Sequence, residues 1–137
     1  MEVRECTRED IPQLAALCIR LDEAVEGHSG TPPAEMRARF EAMMDTHRAF
    51  FFMQDGEVLG YALCDMRQSP VYIRQFYIQA GSRRQGAGKQ AFALLRQALG
   101  AEKLSLDCHL SNEAALRFWH GLGFVDKYVH MELEEDA

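Results

Sequence analysis

Val71-Tyr-Ile-Arg-Gln-Phe-Tyr-Ile78, then Gln79-Ala-Gly-Ser-Arg-Arg-Gln85, then Gly86-Ala-Gly-Lys-Gln-Ala-Phe-Ala-Leu-Leu-Arg-Gln-Ala-Leu-Gly100 form one continuous stretch whose reading decides the fold. The first part is rich in β-branched and aromatic residues and reads as a strand, its mixed pattern suggesting partial cover on both faces. In the last part Phe92, Leu95 and Leu99 recur at helical spacing until Gly100 caps the run. A strand therefore hands over to a helix through the loop Gln79–Gln85. The first amides of a helix have no partner within it and carry partial positive charge, and two glycines let an anion approach the backbone without meeting a side chain. Arg83-Arg84-Gln85-Gly86-Ala87-Gly88-Lys89 is on these grounds a candidate phosphate site, the alternative being a flexible basic turn.

Upstream, Ala49–Gln54 and Val58–Met66 are strand-like runs broken at Asp55-Gly56, a hairpin signal. Before them, Val3–Cys6 reads as a short strand and Thr7-Arg-Glu-Asp10 as a capping-box start. Ile11, Leu14, Cys18 and Leu21 then repeat with the period of a helix. Thr31-Pro32 offers a cap and first-turn proline for a second helix buried through Met36, Phe40 and Met43. Downstream, Leu104, Leu106 and Cys108 alternate with Ser105, Asp107 and His109 as the two faces of a strand. Ser111 or Asn112 caps a helix striped by Ala115, Phe118, Trp119 and Leu122 and ended by Gly123, and a last strand is expected over Phe124–Leu133. The acidic end is expected to fray. The order is β-α-α-β-β-β-α-β-α-β: an α/β (α+β) domain with a mixed, mostly antiparallel central sheet flanked by helices.

At 137 residues the chain is expected to form one domain, 1–137. A formal charge of −6 has the wrong sign for a surface that holds nucleic acid throughout, so any anion must meet a local basic patch. Apolar runs such as Ala49-Phe-Phe-Phe-Met53 are too short to cross a bilayer. The four cysteines include no C-x-x-C pair and no secretory leader precedes them, which predicts reduced buried thiols and a cytoplasmic location. No metal is expected.

Two phosphate-binding patterns compete for the loop. A P-loop ending at Lys89 requires Gly at 83 and Ser or Thr at 90, where the chain has Arg83 and Gln90. Gly86-Ala-Gly88-Lys-Gln-Ala91 does match the dinucleotide pattern G-x-G-x-x-A, with Asp107 near the spacing of a ribose-binding acid. Against it, that loop follows its strand at once, whereas residues 79–85 intervene here, and the chain has no room for a second mononucleotide half.

Arg83-x-x-Gly86-x-Gly88 resembles the phosphate-loop pattern Q/R-x-x-G-x-G/A of the GNAT superfamily of acyl-CoA-dependent N-acyltransferases. Asn112-Glu-Ala-Ala115-Leu-Arg-Phe118-Trp119-His-Gly-Leu122-Gly123-Phe124 is similar to that family's N-x-x-A-x-x-F-Y-x-x-L-G-F, and Val3–Asp10 resembles its opening. The likeness covers essentially the whole chain. It implies that the amides of Arg84, Gln85, Gly86, Ala87, Gly88 and Lys89 hold the pyrophosphate of acetyl-CoA, with Arg83 at the entrance of the loop. It implies that the backbone of Phe76, Tyr77 and Ile78 pairs with the pantetheine arm as an added strand, one amide facing the thioester carbonyl where negative charge develops. Asn112 would contact coenzyme A or serve as a pure helix cap.

Acetyl transfer needs a neutral amine and hence a proton acceptor. Asp107, in Leu106-Asp-Cys-His-Leu-Ser-Asn112, is the first candidate, because the segment is similar to one in N-terminal-amine acetyltransferases with an acidic base five positions before the Asn. His109 is the substitute. Trp119 stands where many relatives carry a tyrosine that protonates the leaving thiolate. An indole N–H is no usable acid, so Trp119 is read as core or as packing on pantetheine. Tyr77, Tyr128, His120 or solvent remain as proton sources. Arg74-Gln75 replaces a glutamate frequent on this strand in relatives. The acceptor cleft implied by the resemblance is lined by 22–31 and 128–132, where Asp22, Glu23, Glu26 and Glu132 would attract a cation.

The expected activity is transfer of an acetyl group from acetyl-CoA, as cosubstrate, to a primary amine by direct attack on the thioester. The acceptor is a small amine-bearing molecule or a peptide N-terminus, and the protein a monomer or homodimer without nucleic-acid or membrane partners. The alternatives are a non-catalytic coenzyme A-binding module of the same fold and a nicotinamide-dinucleotide oxidoreductase.

Overall fold

Asp55 and Gly56 take the left-handed backbone, φ 52° and 80°, that a tight two-residue hairpin turn requires. The turn joins β2 (His47–Gln54) to β3 (Glu57–Asp65), as the sequence predicts. The computed structural model describes residues 1–83, 86–100 and 103–135. Around this hairpin the sheet grows in the order β1-β2-β3-β4-β5, with β1 (Glu2–Glu5), β4 (Val71–Ile78) and β5 (Leu104–Ser105). All neighbours are antiparallel except β4 and β5, which run parallel.

Both faces of the sheet are apolar, so alternation along β2 puts Ala49 and Phe51 on one side and Phe50 and Phe52 on the other, all four buried. Helices α1 (Ile11–Glu26) and α2 (Pro33–Met43) cover the first face, packing Leu14, Cys18, Met36 and Phe40 against Ala49, Phe51, Tyr61, Leu63 and Tyr77. Helix α3 (Ala87–Leu99) buries Ala91, Phe92 and Leu95 and lies beside β1. The capping box forms: Thr7 N–H donates to Asp10 Oδ2 at 2.8 Å, and Asp10 also accepts from the two terminal guanidinium nitrogens of Arg4. The start of α2 is displaced by one residue, Pro32 taking the cap position and Pro33 opening the helix.

Strand β4 carries one residue too many. Ile73 pairs with Cys64 and Gln75 with Leu63, so Arg74 is extruded as a bulge. The mixed pattern of 71–78 resolves once Arg74 is set aside: Tyr72, Gln75 and Tyr77 share the face under α1 and α2, and Ile73, Phe76 and Ile78 the other.

Two expectations are corrected. The strand predicted over 104–109 is confined to Leu104–Ser105, paired with Val71 and Tyr72. The parallel ladder ends there, two residues before the bulge at Arg74. The strand predicted over Phe124–Leu133 is not formed among the described residues. Its alternating side chains supply no ladder partner, and Val129, Met131 and Leu133 are exposed. Contacts divide the chain into Met1–Asp107, which holds the sheet and α1–α3, and Cys108–Ala137, which holds α4 (Glu113–Gly121).

All four cysteines are free thiols, three of them buried, and burial pushes Cys6 and Cys64 up to about 12. Among the described residues no helix is long and apolar enough to cross a membrane.

Candidate functional site

Gly86 adopts φ 73° and caps α3, whose first intrahelical bond runs from Gln90 N–H to Gly86 C=O. A β-carbon on Gly86 would meet nothing within 4 Å, so the residue is glycine for its backbone angle and leaves open space above the helix end. The amides of Ala87, Gly88 and Lys89 belong to the first turn and have no acceptor inside the helix. Arg84 and Gln85, predicted to complete this cradle, lie outside the described residues.

Arg83 is anchored. Its Nε donates to the Ile78 carbonyl at 2.8 Å and its guanidinium lies over the Tyr77 ring at 5.8 Å. The loop is thereby folded back onto the end of β4. The main-chain direction of β4 follows from its ladder: Gln79 N–H donates to Leu59 C=O at 2.8 Å, so alternation turns Tyr77 toward β3 as well, and Phe76 and Ile78 to the opposite side. The expected row of Phe76, Tyr77 and Ile78 thus divides, with Tyr77 committed to the sheet. Among the described residues no strand pairs with Ile78 on the side away from β3.

On the α1 face, the Tyr61 hydroxyl donates to Gln75 Oε1 at 2.7 Å and Gln75 Nε2 donates to Cys18 Sγ at 3.4 Å. Gln75 is tied into the core, and burial raises the Tyr61 phenol well above its ordinary range. Asp107 is exposed and accepts a hydrogen bond from the Tyr72 hydroxyl, 2.9 Å to Oδ2. Sequence reasoning passed over Tyr72. The available signal was its place at the start of the strand, opposite the segment that carries Asp107. Asp22 accepts from Ser29 Oγ at 3.4 Å, and Glu23 and Glu26 are exposed.

Within Cys108–Ala137, Asn112 caps α4, its side chain accepting from Ala115 N–H at 3.1 Å. Trp119 packs edge-on against Phe118 and Phe124, with ring centroids 4.8 and 5.3 Å apart. His109 Nδ1 accepts from Ser111 N–H at 3.0 Å. His120 contacts Asp126 and His130 contacts Glu132, at 2.7 and 2.9 Å. Of the other proton sources, Tyr128 is exposed while Tyr77 is buried. Among the described residues no three His, Cys, Asp or Glu side chains assemble a metal site.

Known structures share this architecture. A tetramutant of the BH1408 protein from Bacillus halodurans is 24% identical, with a TM-score of 0.78 over 98% of this chain and 99% of that one. A possible acetyltransferase from Clostridium difficile 630 is 15% identical, with a TM-score of 0.80 over 99% and 97%. The aminoglycoside N-acetyltransferase AAC(6')-Iy, solved with CoA and with the bisubstrate analog CoA-S-monomethyl-acetylneamine, is 19% and 20% identical in these two structures, with TM-scores of 0.75 and 0.77. Each of the two covers 99% of this chain, and 95% and 98% of the other. At these identities the likeness establishes the fold. No curated protein matches the sequence. The model of the acetyltransferase (GNAT) family matches residues 15–124, and with the motif, the strand order and the glycine-capped helix agreeing, the chain belongs to that family.

Proposed function

We propose that this protein transfers an acetyl group from acetyl-CoA to a primary amine by direct attack of the amine on the thioester. The observation that carries the reading is the handover from β4 to α3: a strand end whose Ile78 main chain faces away from β3, followed by a glycine-capped helix with three first-turn amides that have no acceptor inside the helix. The residues present fit the ligand. Helix amides of Ala87, Gly88 and Lys89 would take the pyrophosphate, Gly86 would let it close in, and the Ile78 N–H would donate to a pantetheine carbonyl. Lying along β4 from that end, the arm would bring its thioester toward the bulge at Arg74 and the last rung of the β4–β5 ladder. Asp107, just past that rung, is the base that takes the amine proton. The acceptor class is supported by the exposed acids late in α1 and by the aminoglycoside N-acetyltransferase among the related structures.

A thiol-release assay with acetyl-CoA and an amine panel (a polyamine, an aminoglycoside, a peptide N-terminus) tests the reading. Amine-dependent release of free CoA is the expected result. Protection against thermal unfolding by CoA without turnover on any amine would favour the non-catalytic module, and protection by NAD but not CoA the dinucleotide enzyme.

A further inference from the structure

The Tyr72 hydroxyl donates to the carboxylate proposed as base. Tyr61 gives its hydroxyl to Gln75, Tyr77 is buried beneath Arg83, and Tyr128 is exposed. The position of Tyr72 follows from register. It faces Ser105 across the final rung between β4 and β5, and Asp107 is two residues beyond Ser105, on the same side of an extended chain. The hydroxyl spans that diagonal, 2.9 Å to Asp107 Oδ2. Both side chains therefore stand at the apex where β4 and β5 part, with the bulge at Arg74 two residues up the strand.

We propose that Tyr72 and Asp107 act as one acid–base pair, Tyr72 supplying the proton to the departing sulfur. The inference rests on the acetyltransferase reading above. The amine nitrogen uses its lone pair to form a C–N bond to the thioester carbonyl carbon, and the C–S bond breaks with its electron pair left on sulfur. The surplus proton on nitrogen goes to the Asp107 carboxylate. The Tyr72 hydroxyl proton goes to sulfur, and the proton held by Asp107 crosses the existing hydrogen bond to restore the phenol. The pair ends as it began, and the products are an amide and a thiol. A phenol can act as this acid where the indole of Trp119 cannot.

The test is a double-mutant cycle in the full chain, read by acetyl-CoA-dependent thiol release with the best amine of the panel. Tyr72→Phe is expected to lower kcat by about 100-fold with the KM for acetyl-CoA changed less than about twofold. Asp107→Asn should lose a similar factor, and the double variant should be no slower than the slower single. Thermal unfolding midpoints check that each variant is folded, and Asp107→Asn probes the pair from the other side if Tyr72→Phe unfolds. Wild-type kcat in Tyr72→Phe, or losses that multiply in the double variant, would overturn the pair while leaving the transferase reading intact. Absence of amine-dependent release by the unaltered chain would overturn both.

Discussion

The carbonyl oxygen of Tyr77 lies 2.0 Å from where a β-carbon on Gly60 would sit, and Ile78 Cα lies 2.9 Å from it. β3 and β4 approach this closely only because residue 60 has no side chain. Gly60→Ala must push the backbone of β4 aside, at a cost of about 1–3 kcal/mol. Urea unfolding of that variant, beside Gly30→Ala where nothing lies within 4 Å, checks it. Equal stability of the two variants would show that β4 is not held at this distance.

Arg83 ties the loop to β4 through one directional bond to Ile78 and a face-on contact with Tyr77. Lysine has no Nε–H at that position and no planar group to lay on the ring. Arg83→Lys is therefore expected to weaken CoA binding about tenfold, as measured by calorimetry, although the charge is kept. Retention of full affinity would mean that charge alone matters at this position.

Gly86 separates two effects. Gly86→Ala meets no neighbour and pays only for the left-handed backbone, about 1 kcal/mol. Gly86→Glu adds a negative charge over the first-turn amides and should abolish CoA binding. Undiminished affinity in Gly86→Glu, by calorimetry with free CoA, would remove the phosphate from this helix end.

His47 is buried, its Nε2 has no hydrogen-bond partner among the described residues, and Asp65 Oδ2 is 3.8 Å away. Burial holds the imidazole below its ordinary 6.5; the Asp65 carboxylate opposes this, and the Arg74 and Arg67 guanidiniums add to it. A group whose folded pKa is depressed contributes stability that is complete above the unfolded value and is lost as pH falls through the window beneath it. Unfolding free energy should accordingly drop between pH 7 and pH 5, and His47→Asn should flatten that segment. Asp65 titrates elsewhere: the Arg67 guanidinium holds its carboxyl below the usual range, so its loss begins only under about 3.8. A slope between pH 7 and pH 5 that survives in His47→Asn would assign the acid sensitivity to other groups.

Much of this was legible in the residues. Asp55-Gly56, the Phe92–Leu95 stripe and Gly100 carry local instructions, because turn angles and helical periods are set by neighbours in the chain. The limits of β5 and the fate of 124–133 were not legible, since a strand is defined by its partner and alternation names none. Arg74 shows the same limit within one element. Its side chain is unremarkable, and only pairing with Leu63 and Cys64 reveals it as surplus. Asp107 is a candidate from its segment alone, whereas its contact with Tyr72 required the parallel register that brings position 72 opposite position 105.

Striking Arg74 from the chain would leave Tyr72, Ile73, Gln75, Phe76, Tyr77 and Ile78 in flawless alternation, each on the side it already occupies. The surplus residue lies two positions past Tyr72, where the parallel ladder with β5 has already given out. One unmatched amino acid thus interrupts the repeat of an otherwise regular strand, next to the two side chains proposed to move protons.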